Sequence, residues 1–175
     1  MHILFVCTGN ICRSPIAERL AVACGGGQIP GFTATSAGTR AVVGHAIHQD
    51  AAHVLEQLGA NASDFAARLL THKIASSADL VITMTREHRD IVLEAAPRQI
   101  HRTFTLSEAA YLAADPSVLT LSDPAERRPL MTAGNMPDIP DPIGQSPAVF
   151  ATVGSQIDAL LRPVLLLCKR SAKDA

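Results

Sequence analysis

The chain reads as a single α/β domain of three layers, a four-stranded parallel sheet flanked on both faces by helices. Three observations predict it. Apolar or β-branched runs at residues 3–6, 32–36, 80–84 and 100–104 alternate with helical stretches, and that alternation builds a parallel sheet with crossover helices. The first run, Ile3, Leu4, Phe5 and Val6, is continuously apolar, as a strand buried on both faces must be. At 175 residues and 47% apolar content, the chain suits one domain with a sizeable core.

The elements follow in order. After the first strand, Ser14 and Pro15 read as a helix start, with Ser at the N-cap and Pro at the first helical position. Ile16, Leu20 and Ala23 or Cys24 give that helix its apolar stripe, and the glycines at 25–27 end it. Residues 32–36 form the second strand and 40–47 a loop. A helix over 48–58 carries Ile47, Ala51, Leu55 and Leu58 on one side and stops at Gly59. A short helix over 71–77 precedes the third strand, 80–84. Thr85 caps a helix to Ala96, with Ile91 and Leu93 as apolar members, and Pro97 closes it. The fourth strand is 100–104, and Ser107 caps a helix to Leu112. Residues 113–137 are proline-rich and read as a long loop or insertion. Ser146 and Pro147 start the last helix, whose buried face is Val149, Val153, Ile157, Leu160 and Leu161. Pro163 must kink or end it. The domain spans 1–168, and 169–175 is a polar tail.

The chemistry sits between the first strand and the first helix: Cys7, Thr8, Gly9, Asn10, Ile11, Cys12, Arg13, Ser14. A tight strand-to-helix turn points successive backbone N–H groups inward and ends at a positive helix terminus, which makes an anion cradle. Gly9 and Asn10 tolerate the left-handed angles that a closed nest requires. Arg13 can grip two phosphate oxygens through its planar fork. A thiol among these donors readily loses its proton, and a thiolate beneath a phosphoryl group is placed for in-line attack. Ser14 can donate a hydrogen bond to that sulfur. The competing reading, a buried Cys7 that merely ends a core strand, leaves Arg13 and the Gly9–Asn10 pair unexplained. A nucleotide-binding Walker loop is excluded, because no Gly-Lys-Ser/Thr follows.

The spacing Cys-x5-Arg-Ser resembles the phosphate loop of cysteine-dependent protein tyrosine phosphatases. The fuller run from Cys7 to Pro15, after one strand, resembles the low-molecular-weight tyrosine phosphatase family. The resemblance implies a flavodoxin-like fold and hydrolysis of phosphate monoesters on protein through a phosphocysteine intermediate, without metal or cofactor. Cys7 is then the nucleophile. The backbone of Thr8, Gly9, Asn10, Ile11, Cys12 and Arg13 holds the phosphate, and Arg13 stabilises its equatorial oxygens. Asn10, Ser14 and Ser36 support the loop. Asp141, followed by Pro142, matches the family's general acid. Asp138 is the rival carboxylate, without a following Pro, while Asp115-Pro116 and Asp123-Pro124 show that the dipeptide alone is weak evidence. Cys12 is a candidate redox partner that could shield Cys7 as a reversible disulfide.

Two positions depart from the family. Phe65 stands three residues before Arg68, where many members carry a His that braces the loop; the bracing then falls to Asn10, Ser14 and Ser36 alone. Ile143 replaces the aromatic residue that eukaryotic members place after Asp-Pro, so stacking on a phenol ring is weaker. Three other functions stay open: a protein-arginine phosphatase, which commonly has Thr where this chain has Ile11; an arsenate reductase using a small-molecule thiol; and a non-catalytic phosphoprotein-binding module. The implied partner is a phosphotyrosine-containing or otherwise phosphorylated protein.

Composition narrows the rest. A net charge of −1 gives no reason to expect nucleic acid or an anionic membrane surface as partner. No run approaches membrane-spanning length, and the start of the chain is no signal peptide. Four Cys in this setting make no disulfide framework, and a reducing cytoplasm is the expected compartment. His45, His48 and His53 lack metal-ligand spacing.

Overall fold

A computed structural model describes residues 1–115, 117–118 and 136–172. Its centre is a four-stranded, all-parallel sheet of β1 (His2–Cys7), β2 (Thr33–Gly38), β3 (Leu80–Thr83) and β4 (Thr103–Thr105), in the order β2-β1-β3-β4. The α/β reading holds. Along β1, alternate residues serve opposite faces. Ile3 and Phe5 enter one buried cluster with Ile16, Leu20, Leu106, Phe150 and Ile157, while Leu4 and Val6 enter another with Ala75, Val81 and Val92. Both clusters are apolar, so the strand had to read as an unbroken apolar run.

Among the described residues, six α-helices make the outer layers: α1 (Arg13–Gly25), α2 (Gln49–Gln57), α3 (His72–Ser76), α4 (Arg86–Ala95), α5 (Leu106–Ala114) and α6 (Pro147–Ser171). The chain leaves β1 through α1 to pair β2 on one edge, then returns through α3 to pair β3 on the other. A crevice outside the strand ends at such a reversal is the usual ligand site of open parallel sheets, and the Cys7–Ser14 segment occupies it.

Several boundaries differ from expectation. Residues 97–102 form a 3-10 turn, and the fourth strand begins only at Thr103; Ile100 is exposed. Helix α5 is capped by Thr105 and not by Ser107, because Glu108 three residues on completes a reciprocal capping box. Its last two residues take 113 and 114 from the expected 113–137 loop, most of which lies outside the described residues. Helix α4 buries His88 and Val92, with Ile91 and Leu93 only partly covered. Ala23 and Cys24 are exposed, and α1 packs through Ile16, Ala17, Leu20 and Ala21. In α2 it is Val54 that joins Ala51 and Leu55 inside, with Leu58 outside.

Helix α6 does not end at Pro163. It runs on to Ser171, burying Val164, Leu165, Leu167 and Cys168, so residues 169–171 belong to the domain. This helix is, by length and composition, apolar enough to cross a membrane, contrary to the expectation that no run approaches that length. One face of it packs against α1, α2 and α5, as a core helix does. Gly154 brings α6 against α2: a Cβ there would collide with Val54 Cγ1.

Candidate active site

The loop from Thr8 to Cys12 is shaped by what its carbonyls bind. The carbonyls of Cys7, Thr8 and Gly9 accept N–H bonds from Thr39, Arg40 and Val42 at 2.9 Å each, that of Ile11 accepts from His48 at 2.8 Å, and that of Cys12 from Ile16 at 3.0 Å. These partners lie on the outside, in the segment after β2 and in the first turn of α1. Within a planar trans peptide, the N–H points opposite to the C=O. The N–H groups of Thr8, Gly9, Asn10, Cys12 and Arg13 therefore turn to the inside of the ring. Outer hydrogen bonds thus hold the segment as a ring. Gly38 makes room for it: a Cβ there would stand 2.5 Å from the Thr8 carbonyl oxygen. Only Asn10 is left-handed in this loop, at φ 55°; Gly9 is not, contrary to expectation.

Cys7 ends β1 at the floor of the ring, with Sγ 3.0 Å from Ser14 Oγ. Ser14 is not an N-cap. The helix starts at Arg13, Cys12 is the capping position without a side-chain bond, and the Ser14 hydroxyl is left for the site. The direction of its bond follows from a chain of donors. The Arg68 N–H can only donate, and it donates to Asn10 Oδ1 at 2.9 Å. Asn10 Nδ2 then donates to Ser14 Oγ at 3.0 Å and to Ser36 Oγ at 2.7 Å. That leaves the Ser36 proton for Glu18 Oε2, at 2.6 Å, and the Ser14 proton for Cys7 Sγ.

Sequence reasoning found Asn10, Ser14 and Ser36 but missed Glu18 and Arg68. The bracing is not confined to the first three, because Arg68 also donates its Nε to the Ser36 carbonyl at 2.8 Å. Phe65 instead lies beneath the Arg19 guanidinium, 5.6 Å from ring centroid to Cζ. Burial raises the Glu18 carboxyl above its usual range, against the pull of Ser36, Arg19 and Arg68.

Arg13 is only 4% exposed, which is rare for a guanidinium unless it is bound on several sides. Nη1 donates to the Ile139 carbonyl at 3.1 Å; Nη2 donates to Asp141 Oδ2 at 2.5 Å and to Thr8 Oγ1 at 3.4 Å. Nε is buried and has no partner among the described residues. The ion pair brings Asp141 over the loop from far along the chain, with its side chain still 47% exposed. Asp138 is used elsewhere: it accepts the Arg86 N–H at 3.0 Å, at the start of α4. Between the two carboxylates, Ile139 is buried and donates its N–H to Met84 O at 2.8 Å, anchoring the segment to the end of β3.

A further residue had no sequence signal. His88 is buried on α4, with Nε2 2.9 Å from Thr8 Oγ1 and Nδ1 2.8 Å from Thr85 Oγ1. Burial, aided by Arg13, lowers it from 6.5 to about 4. Cys12 is a buried free thiol, pushed up to about 12 by burial and by Cys7 and Asp141. Ile11 and Val42 flank Gly9, with Ile11 Cγ1 3.4 Å and Val42 Cγ2 3.7 Å from where its Cβ would be. Ile143 is exposed and donates its N–H to Asp141 Oδ1. The side chains of Arg40 and His45 are open to solvent. His48 stacks on Phe150 and His53 bonds Gln57. Among the described residues, no group of three His, Cys, Asp or Glu side chains could hold a metal ion.

Residues 2–129 match the family described as low molecular weight phosphotyrosine protein phosphatase. The chain belongs to the low molecular weight protein tyrosine phosphatase family. It is a phosphatase, with phosphorylated protein as its class of substrate. It is 31% identical to a putative low molecular weight protein-tyrosine-phosphatase of Klebsiella pneumoniae, over 89% of each chain. It is also 31% identical to a protein-arginine-phosphatase of Geobacillus stearothermophilus, over 91% of this chain and 90% of that one. Among solved structures it resembles a cysteine-to-serine variant of the YwlE arginine phosphatase whose active-site serine is phosphorylated. That likeness has a TM-score of 0.73 at 28% identity, covering 95% of this chain and 94% of that one. Asp141 lies beyond the matched family region, so its place over Arg13 is the finding that joins it to the phosphatase loop.

Proposed function

We propose that this phosphatase removes phosphate from tyrosine side chains of proteins through a phosphocysteine intermediate. Cys7 Sγ attacks phosphorus in line with the bond to the phenolic oxygen. The inward amides of the loop and the Arg13 guanidinium hold the equatorial oxygens as charge spreads over them. Asp141 gives its proton to the departing phenolate. In the second half-reaction the Asp141 carboxylate takes a proton from water, the water oxygen attacks phosphorus, and inorganic phosphate leaves with Cys7 restored as the thiolate. The Ser14 hydroxyl steadies the sulfur as attacker and as leaving group.

The observation that carries this reading is the Ser14–Cys7 bond at the floor of a ring whose outer hydrogen bonds turn its amides inward. The phosphate dianion competes with Asp141 for Arg13, whose buried Nε has no partner among the described residues. Asp141, exposed on one side, is then released toward the leaving group. Cys7→Ser removes turnover; a Ser variant that keeps it would overturn the nucleophile. Asp141→Asn slows phenyl phosphate far more than p-nitrophenyl phosphate, since the poorer leaving group depends more on the acid. Equal slowing removes Asp141 from that role.

A second substrate reading, phosphoarginine, draws on the arginine phosphatase relatives. The aliphatic pair Ile11 and Val42 at the rim favours an aryl ring, because an apolar wall strips water from a charged guanidinium without replacing its hydrogen bonds. Turnover of phosphotyrosine and phosphoarginine by the wild type and Ile11→Thr decides between them. For the redox role, a peroxide converts the Cys7 thiolate to a sulfenic acid, and Cys12 condenses with it to a disulfide, releasing water. The high Cys12 value makes it the slow partner.

A further inference from the structure

Arg13 is braced on both terminal nitrogens, and one brace is temporary. Nη2 is shared between Asp141 and Thr8 Oγ1. In the reaction proposed above, Asp141 moves to the leaving-group oxygen at the moment Arg13 has most to do. Thr8 is then the partner that stays on that nitrogen. Its hydroxyl is itself held, 2.9 Å from His88 Nε2. The other ring nitrogen lies 2.8 Å from Thr85 Oγ1, the N-cap of α4, which also accepts the His88 N–H at 3.2 Å.

His88 is 4% exposed, so little water competes for either ring nitrogen. A buried imidazole is a costly filler for a helix face, and an aliphatic residue would serve packing better. The same helix start is tied to the Asp141 segment through Met84 O–Ile139 N and Arg86 N–Asp138. The brace and the acid are thus mounted on one support.

We propose that His88 is a positioning residue for Arg13, acting through the Thr8 hydroxyl to keep the guanidinium in register with the loop amides once Asp141 has left it. This rests on the phosphatase reading. Its low titration point keeps the ring neutral above pH about 4, so the brace is constant over the working range.

The test uses the full chain with p-nitrophenyl phosphate and phenyl phosphate, on wild type, Thr8→Val, His88→Ala, His88→Gln and the Thr8→Val/His88→Ala pair. Folding is checked by urea midpoint. Either single truncation lowers kcat/KM by about tenfold or more, as loss of a guide for a charged group does. The pair falls no further than the worse single variant, because the two act in series. The loss is the same factor for both esters, since the equatorial oxygens do not change with the leaving group; a disturbance of Asp141 would hit phenyl phosphate harder. His88→Gln offers an amide donor near the position of Nε2 and recovers most of the loss; it also carries the test if His88→Ala does not fold. Multiplying losses, a leaving-group-dependent loss, or a folded Gln variant as slow as the Ala variant overturns the assignment. A wild type without Cys7-dependent turnover would instead overturn the phosphatase reading.

Discussion

Asn10 carries the loop in two separable ways, through its side chain and through its backbone angle. It is fully buried, sits at φ 55°, and makes hydrogen bonds to Arg68 N, Ser14 Oγ and Ser36 Oγ. Asn10→Gly keeps the left-handed backbone and deletes the amide. The Arg68 N–H is orphaned and two hydroxyls lose a donor, although Ser36 keeps Glu18 and Ser14 keeps Cys7. At about 1–3 kcal/mol for an unsatisfied buried group, with smaller losses at the two hydroxyls, the expected cost is about 3 kcal/mol. Asn10→Ala suffers the same losses and also forces a Cβ into the left-handed region, at about 1–2 kcal/mol. Part of that is offset by the smaller entropy of an unfolded Ala chain. The Ala variant should therefore be less stable than the Gly variant by about 1 kcal/mol, reversing the usual order of these residues. Urea unfolding with matched m-values measures both. An Ala variant at least as stable as the Gly variant, or both within about 1 kcal/mol of wild type, would refute the argument that this amide and this angle hold the ring.

Gly38→Ala places a methyl 2.5 Å from the Thr8 carbonyl oxygen and 3.0 Å from Ala41; the phosphate loop must shift, and kcat/KM should fall about 100-fold while the protein remains folded by circular dichroism. His88 makes stability depend on pH with a definite sign. Burial and Arg13 lower it, Arg40 adds to this, and Asp141 and Asp138 oppose. Below pH 6.5 the unfolded chain takes up a proton that the folded ring refuses until about 4, so this group's contribution to stability falls across that window, by about 2–3 kcal/mol. Well above 6.5 it contributes no slope. Glu18, raised by burial, acts with the opposite sign and weakens the fold as pH rises through its value. The difference in urea stability between wild type and His88→Gln isolates the histidine; parallel curves from pH 7 to pH 4 would rule out a neutral, buried ring.

The local residues Cys7 to Arg13 announced the loop because each of its demands is met within a few residues. A strand end, an Asn able to turn left-handed, an Arg one helix start away and a following apolar stripe are short-range requirements that leave a readable pattern. Ser14 was expected both to cap α1 and to meet the sulfur: as a cap it would have spent its hydroxyl on the backbone, and in the fold that hydroxyl lies against Cys7 Sγ instead. The fourth strand was set too early because Ile100 looks buried by composition, whereas the 3-10 turn turns it outward. Pro163 reads in the sequence as a kink or a stop. At that position the helix continues, since residues 164, 165, 167 and 168 have a buried face to occupy.

Glu18, Arg68 and His88 left no signal, because an isolated polar residue on an amphipathic helix or in a loop reads as solvated until its neighbours are known. Their partners lie 18, 58 and 80 residues away in sequence. The sequence preferred Asp141 to Asp138 for its following Pro142, but the physical separation of the two belonged to the tertiary structure. Both carboxylates sit on one short segment, and it is the bond from Ile139 to the end of β3 that sends one to the start of α4 and the other to Arg13. What the residues determined alone is the chemistry that contiguous backbone can build: the strand, the turn, the thiol and the guanidinium. What only the fold decided is which distant polar groups meet that ring, because burial and donor direction are properties of packed neighbours and not of the chain in order.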